Sequence, residues 1–161
     1  MTTRHDLRTT ARLLFDAAVK AADPAIAVRR GFAENPPAAA QGRTILIAIG
    51  KAAPAMLREA LDHVPNPDIA LAVTHHENTS DVPGAKIMRA GHPVPDAAGA
   101  AAADRVIQIL DAAGPQDRVI ALISGGGSAL LPAPPDGVTL EDKAKLNALL
   151  LSAGLDIVQM N

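Results

Sequence analysis

An α/β fold on a mostly parallel sheet is what this sequence predicts. Four short runs rich in Ile, Leu, Val and Ala alternate with helix-period segments and turn residues. The run at 43–49 is almost continuously apolar, as a strand buried on both faces reads. Glycine stands directly after the first run and one residue after the fourth, where a parallel sheet places its ligands.

Taken in order, residues 6–22 carry Leu7, Leu14, Ala18 and Ala21 at helical spacing among Arg8, Arg12, Asp16 and Lys20, an amphipathic helix. Asp23-Pro24 opens a second helix through Ala33, the acid as cap and proline in the first turn. Asn35-Pro36-Pro37 ends it. The first strand, 43–49, leads through Gly50-Lys51 into a helix over 52–63. Strands at 69–74 and 86–90 follow, the latter shorter and more polar. Asp96 begins an Ala-rich helix that runs to about Ala113, and Gly114-Pro115 stops it. The fourth strand, 118–123, reads as buried and runs straight into Ser124-Gly125-Gly126-Gly127-Ser128. A Pro-rich loop over 132–137 precedes a helix over 139–153 with a capping threonine and early acids. A further element begins at Leu155 and is still open at Asn161, which reads as truncation. The pattern is that of one Rossmann-like sheet flanked by helices.

Composition narrows the function. The 161 residues are 48% hydrophobic and 20% charged, with two Phe, no Trp or Tyr and no Cys. The core is therefore aliphatic, and disulfides and thiolate metal sites are excluded. A net charge of -2 without stacking aromatics gives no field for nucleic acid. No run approaches the roughly 18 apolar residues of a membrane span, and the amino terminus is unlike a secretory signal. A cytoplasmic protein without nucleic-acid or membrane partners is the expectation. An open sheet edge or bare apolar face leaves room for a homodimer.

Two glycine turns carry the candidate chemistry. In the first, Gly50 allows close backbone approach and Lys51 adds a mobile positive charge suited to phosphate or carboxylate. The same residues also read as a tight turn with a surface lysine. A Walker A loop is excluded, because Gly42 lies too far from Gly50 and Ala52 stands where a hydroxyl would hold magnesium. In the second, Gly125, Gly126 and Gly127 form a backbone nest for an oxyanion, flanked by the hydroxyls of Ser124 and Ser128; a merely flexible turn is the alternative. Neither the dinucleotide fingerprint nor the nucleophile elbow is met, since both require glycine at Leu130. Between the turns, Gly91-His92-Pro93-Val94-Pro95-Asp96 is a rigid loop with a helix cap, and His92 is placed to face the cleft. His75 and His76 are adjacent in a strand and point to opposite faces, a poor metal pair. His5 and His63 read as solvated. No metal site is assigned.

Three segments in this order, Ile49-Gly50-Lys51-Ala52-Ala53 with Met56 behind, Ala90-Gly91-His92-Pro93-Val94-Pro95-Asp96, and Ile123-Ser124-Gly125-Gly126-Gly127-Ser128-Ala129-Leu130, resemble the glycerate 2-kinase family, whose members are often labelled hydroxypyruvate reductases. Leu14-Phe15-Asp16-Ala17-Ala18-Val19 and the tail over 154–161 fit as well. The resemblance implies ATP-dependent phosphoryl transfer, with Mg2+, to the 2-hydroxyl of D-glycerate, giving 2-phosphoglycerate. It implies Lys51 as the active-site lysine and residues 124–128 as the ligand-binding loop. It also makes residues 1–161 part of the amino-terminal domain of a two-domain kinase, inactive without residues beyond it. An NAD(P)H-dependent hydroxypyruvate reductase and a non-catalytic metabolite-binding module are the rival readings.

Overall fold

The computed structural model describes residues 4–160; Met1, Thr2, Thr3 and Asn161 lie outside the described residues. The elements are α1 (Arg4–Ala21), α2 (Pro24–Glu34), β1 (Thr44–Ile49), α3 (Ala53–His63), β2 (Ile69–His75), β3 (Lys86–Ala90), α4 (Ala97–Asp111), β4 (Arg118–Ile123), α5 (Gly127–Leu130), α6 (Leu140–Ser152) and α7 (Ile157–Met160). Local chemistry sets their starts. Asp23 accepts the amides of Ala25 and Ile26, Asp96 that of Gly99, and Thr139 with Asp142 closes a capping box.

The four strands form one parallel sheet in the order β3-β2-β1-β4. From β1 the chain adds β2 and β3 on one side and then returns to place β4 on the other. The strand order therefore reverses between β1 and β4, and the crevice beyond their carboxyl ends is the expected ligand position of an open α/β sheet.

Alternation along β1 explains its uninterrupted apolar run. Leu46 and Ala48 pack with Val28 of α2 and Leu57 and Ala60 of α3. Ile45 and Ile47 pack on the other face with Ala102, Val106 and Ile109 of α4 and Leu130 of α5. Both faces are thus dry, and Ile45, Leu46, Ile47 and Ala48 are all buried.

The structure corrects three expectations. β4 is an edge strand, with Leu122 buried but Val119 40% and Ile123 63% exposed. An apolar sequence alone does not say which strand lies outermost. The amphipathic helix α1 forms, yet buries no residue: Leu7 and Leu14 are exposed, because nothing among the described residues packs on its apolar face. His63 is not simply solvated; its Nε2 lies 3.2 Å from Glu59, which also takes a bidentate Arg29 pair, and its ring stacks edge-on to Phe32. No helix among the described residues is long and apolar enough to cross a membrane.

Candidate functional site

The two glycine turns, 75 residues apart in sequence, are stitched together. Ile49 pairs with Ile123 at the last level of the sheet, and the ladder continues past it. The Ser124 amide donates to the Ile49 carbonyl at 2.8 Å, and the Lys51 amide to the Gly125 carbonyl at 2.9 Å. Gly50 takes φ +119°, and a Cβ there would collide with the hydroxyl and carbonyl of Ser124. The turn after β1 therefore requires glycine for two reasons, conformation and proximity. The Ser124 hydroxyl donates to the Ile49 carbonyl and accepts the Ala52 amide, both at 3.2 Å. The sequence reading makes Ser124 a ligand donor; in the structure its proton is used inside the protein.

Lys51 has a fixed backbone and a free head. Its carbonyl accepts from Thr74 Oγ1 and Asn78 Nδ2. Its side chain is exposed, and its ammonium has no ion-pair partner among the described residues. Gly126 lies at φ +95°, and a Cβ built on it would stand 3.0 Å from His92 Cδ2, 3.2 Å from His92 Nε2 and 3.3 Å from Lys51 Cε. Lys51, His92 and the glycine loop thus converge from the ends of three different strands. The amides of Gly125, Gly126, Gly127 and Ser128 donate to no backbone or side-chain acceptor within the described residues, leaving four successive N–H groups beside one ammonium. Ser128 is exposed, and its hydroxyl has no partner among the described residues.

Of the three glycines in the loop, the fold requires only Gly126. A Cβ on Gly125 would meet nothing within 4 Å, and one on Gly127 only Ile49 Cγ2 at 3.4 Å, an ordinary contact.

Electrostatics support an anion here. His92 is held below its ordinary value, first by partial burial and then by the nearby Lys51 and His75, with Glu77 opposing. Its imidazole is therefore neutral near pH 7. The loop that carries His92 is anchored behind it. Burial is the largest single influence on Asp96 and raises it, but hydrogen bonds from His76, Gly91 and Gly99 together hold its carboxyl below the usual range. The His92–Pro93 peptide bond is cis.

The sequence reading missed the end of β2. Thr74, His75, Glu77 and Asn78 all border the convergence, and their position at the carboxyl end of a parallel strand is the signal that marks them. His75 and His76 do part company: His75 Nδ1 lies 2.8 Å from Glu77, and His76 Nε2 lies 2.7 Å from Asp96.

No group of three or more His, Asp or Glu able to hold a metal occurs among the described residues. The residues present do not form a magnesium cage. An apolar groove of about 380 Å3, lined by Val28, Phe32, Met56, Ile120 and Ile123 among others, follows the free edge of β4 on the α2–α3 side; it lacks convergent polar groups and is not this site.

Comparison with known proteins adds a second line of observation. A family model described as Domain of unknown function (DUF4147) matches residues 10–161. A protein of Agrobacterium vitis named "Putative hydroxypyruvate reductase" is 39% identical over 155 residues, covering 96% of this chain and 34% of the relative. Glycerate 2-kinase of Pyrococcus horikoshii is 35% identical over 164 residues, covering 97% of this chain and 37% of that protein. The crystal structure of a glycerate kinase from Thermotoga maritima superposes with a TM-score of 0.82 at 31% identity, again covering 97% of this chain and 37% of that one. The chain thus spans about a third of the length of the relatives it matches.

Proposed function

Because the chain belongs to the DUF4147 family, that of glycerate kinases, we propose that it supplies the anion-binding part of a site for ATP-dependent phosphoryl transfer to the 2-hydroxyl of D-glycerate, giving 2-phosphoglycerate. One observation carries this reading: Lys51 and His92 meet over Gly126, beside four unpaired amides at the strand-order switch.

Phosphoryl transfer asks a protein mainly for positioning and for neutralisation of charge on the moving group. The amides of residues 125–128 are fixed before any ligand arrives, so they stabilise phosphate oxygens without reorganisation. Lys51 adds a full charge that its unpaired head leaves available. Neutral His92 donates one hydrogen bond without competing with Lys51 for the anion. A magnesium ion brought in on the nucleotide phosphates would be held largely by phosphate and water; no residue of this chain is assigned to it.

The rival reductase reading draws on the name of the Agrobacterium relative. Against it, Leu130 occupies the third glycine position of a dinucleotide fingerprint. The test is direct. The complete gene product, supplied with ATP and D-glycerate, is expected to release ADP and 2-phosphoglycerate. Oxidation of NADH by hydroxypyruvate without ATP would replace the kinase by a reductase. Calorimetric binding of either metabolite with no turnover of any kind would leave a binding module.

A further inference from the structure

Resting on that reading of the cleft, we infer that His75, with Glu77 behind it, is the group that accepts the proton of the acceptor hydroxyl. The placement comes first. His75 ends β2 and continues the row of Leu71 and Val73, which face α4 and α5. It pairs with Ala90, two residues before His92. On the same face Ile49 lies directly beneath Gly127. Lys51, His75 and Glu77 all act electrostatically on His92, so the four groups share one neighbourhood. The His75 side chain is 26% exposed, within reach of a ligand but not adrift in solvent.

The three imidazoles at this end of the sheet differ in one decisive respect. His76 spends Nε2 on Asp96, which caps α4. His92 has no carboxylate partner among the described residues. His75 alone has Nδ1 held by a carboxylate, at 2.8 Å, while Nε2 has no partner among the described residues. Glu77 is itself held below its ordinary value, first by that bond and then by its own backbone amide, and so stays ionised. An ionised carboxylate takes Nδ1–H and leaves the Nε2 lone pair outward, the arrangement that orients an imidazole as a base.

The step balances with a nucleoside triphosphate as co-reactant. The O–H bond of the acceptor breaks and its proton passes to His75 Nε2. The freed oxygen pair bonds the γ-phosphorus, and the bond from that phosphorus to the β–γ bridging oxygen breaks, its electron pair leaving with the diphosphate. The imidazolium formed is balanced by Glu77 until it returns the proton to water.

The test uses the complete gene product labelled with 15N at histidine and lysine. The free protein should show His75 in the Nδ1–H tautomer, and Glu77→Gln should bring in the Nε2–H form. D-glycerate should shift the His75 Nε2 resonance; 3-hydroxypropionate, which lacks the 2-hydroxyl, should perturb Lys51 and leave His75 still. In turnover, His75→Gln and Glu77→Gln should each lower kcat about a hundredfold while KM for D-glycerate holds. Glu77 is exposed, so its variant carries the test if His75→Gln does not fold. An unmoved His75 resonance with Lys51 perturbed by D-glycerate would sink the proton-acceptor role and spare the kinase reading. A raised KM at unchanged kcat would also sink it, making His75 an anion binder. If neither acid perturbs the cleft, the kinase reading fails and this role with it.

Discussion

The two ends of the sheet are built from the same strands and treated in opposite ways. At the amino end, Arg43 grips Asp117 through Nε at 3.0 Å and Nη2 at 2.6 Å. Asp117 also accepts the amides of Arg43 and Gly114, and Asp68 accepts that of Thr44. The donors of Arg43 and of the amides around it thus have acceptors inside the fold. At the carboxyl end, among the described residues, Lys51 has no counter-ion, four amides of the glycine loop have no acceptor, and His92 is pressed against Gly126 with no bond to either ring nitrogen. One end turns its donors inward to its own acceptors; the other leaves a cation and several amides open to a ligand. The contrast marks the carboxyl end as the candidate site without reference to any relative.

The severest way to break it is to disturb the junction on which the open end stands. Gly50→Ala places a Cβ into Ser124 at a backbone angle that L residues rarely adopt. We expect a loss of about 3 kcal/mol or more in urea denaturation. A loss under about 1 kcal/mol would show that the two turns are not locked together.

That junction also shows what a sequence yields. The strands, the caps and the pair of glycine turns are legible because each is decided within a few residues, by alternation, side-chain capping or the freedom of glycine. Lys51, His92 and residues 125–128 could be named as candidates for the same reason. The internal use of the Ser124 hydroxyl, the proximity of His75 to His92 and the outward place of β4 were not legible. They follow from strand order, which brings together residues tens of positions apart, and no local pattern encodes it. Glu59 is a similar case in part: His63 is its i,i+4 neighbour on α3, but Arg29 reaches it from α2.

Removing the unpaired cation tests the open end directly. Lys51→Ala in the complete gene product should cut turnover at least about tenfold, roughly 1.4 kcal/mol. Its melting temperature should not move, since the ammonium supports nothing in the fold. Unchanged kinetics would make Lys51 a surface residue and the open end merely a loose one.

At the closed end the corresponding experiment uses pH. The hydrogen bonds from Arg43, with those of the Gly114 and Arg43 amides, hold the Asp117 carboxyl down to about 2 from an ordinary 3.8. A depressed folded value means that the stabilisation is complete above the ordinary value and is lost as pH falls from there toward 2. Thermal melts should therefore show a fall in stability across that interval that Asp117→Asn removes, with a modest drop in melting temperature at pH 7. The exposed flank of Arg43 keeps the effect small. A variant that melts like the parent at pH 7, with the same acid profile, would show the amino end held by strand pairing alone.

The smallest effect on stability is the most discriminating. Gly125→Ala adds a methyl where nothing lies within 4 Å, at a backbone angle outside the left-handed region. Denaturation should move by no more than about 0.5 kcal/mol. If the loop's amides take up phosphate oxygens, the methyl stands where the ligand must approach, and ATP or 2-phosphoglycerate affinity should fall several-fold by calorimetry. Gly126→Ala cannot separate these consequences, because its Cβ would press on His92 and Lys51 and its φ disfavours any side chain. Gly125 is thus the position at which fold and ligand make different demands. Intact stability with intact affinity would mean that the loop's amides meet nothing, and the contrast between the two ends would lose its functional meaning.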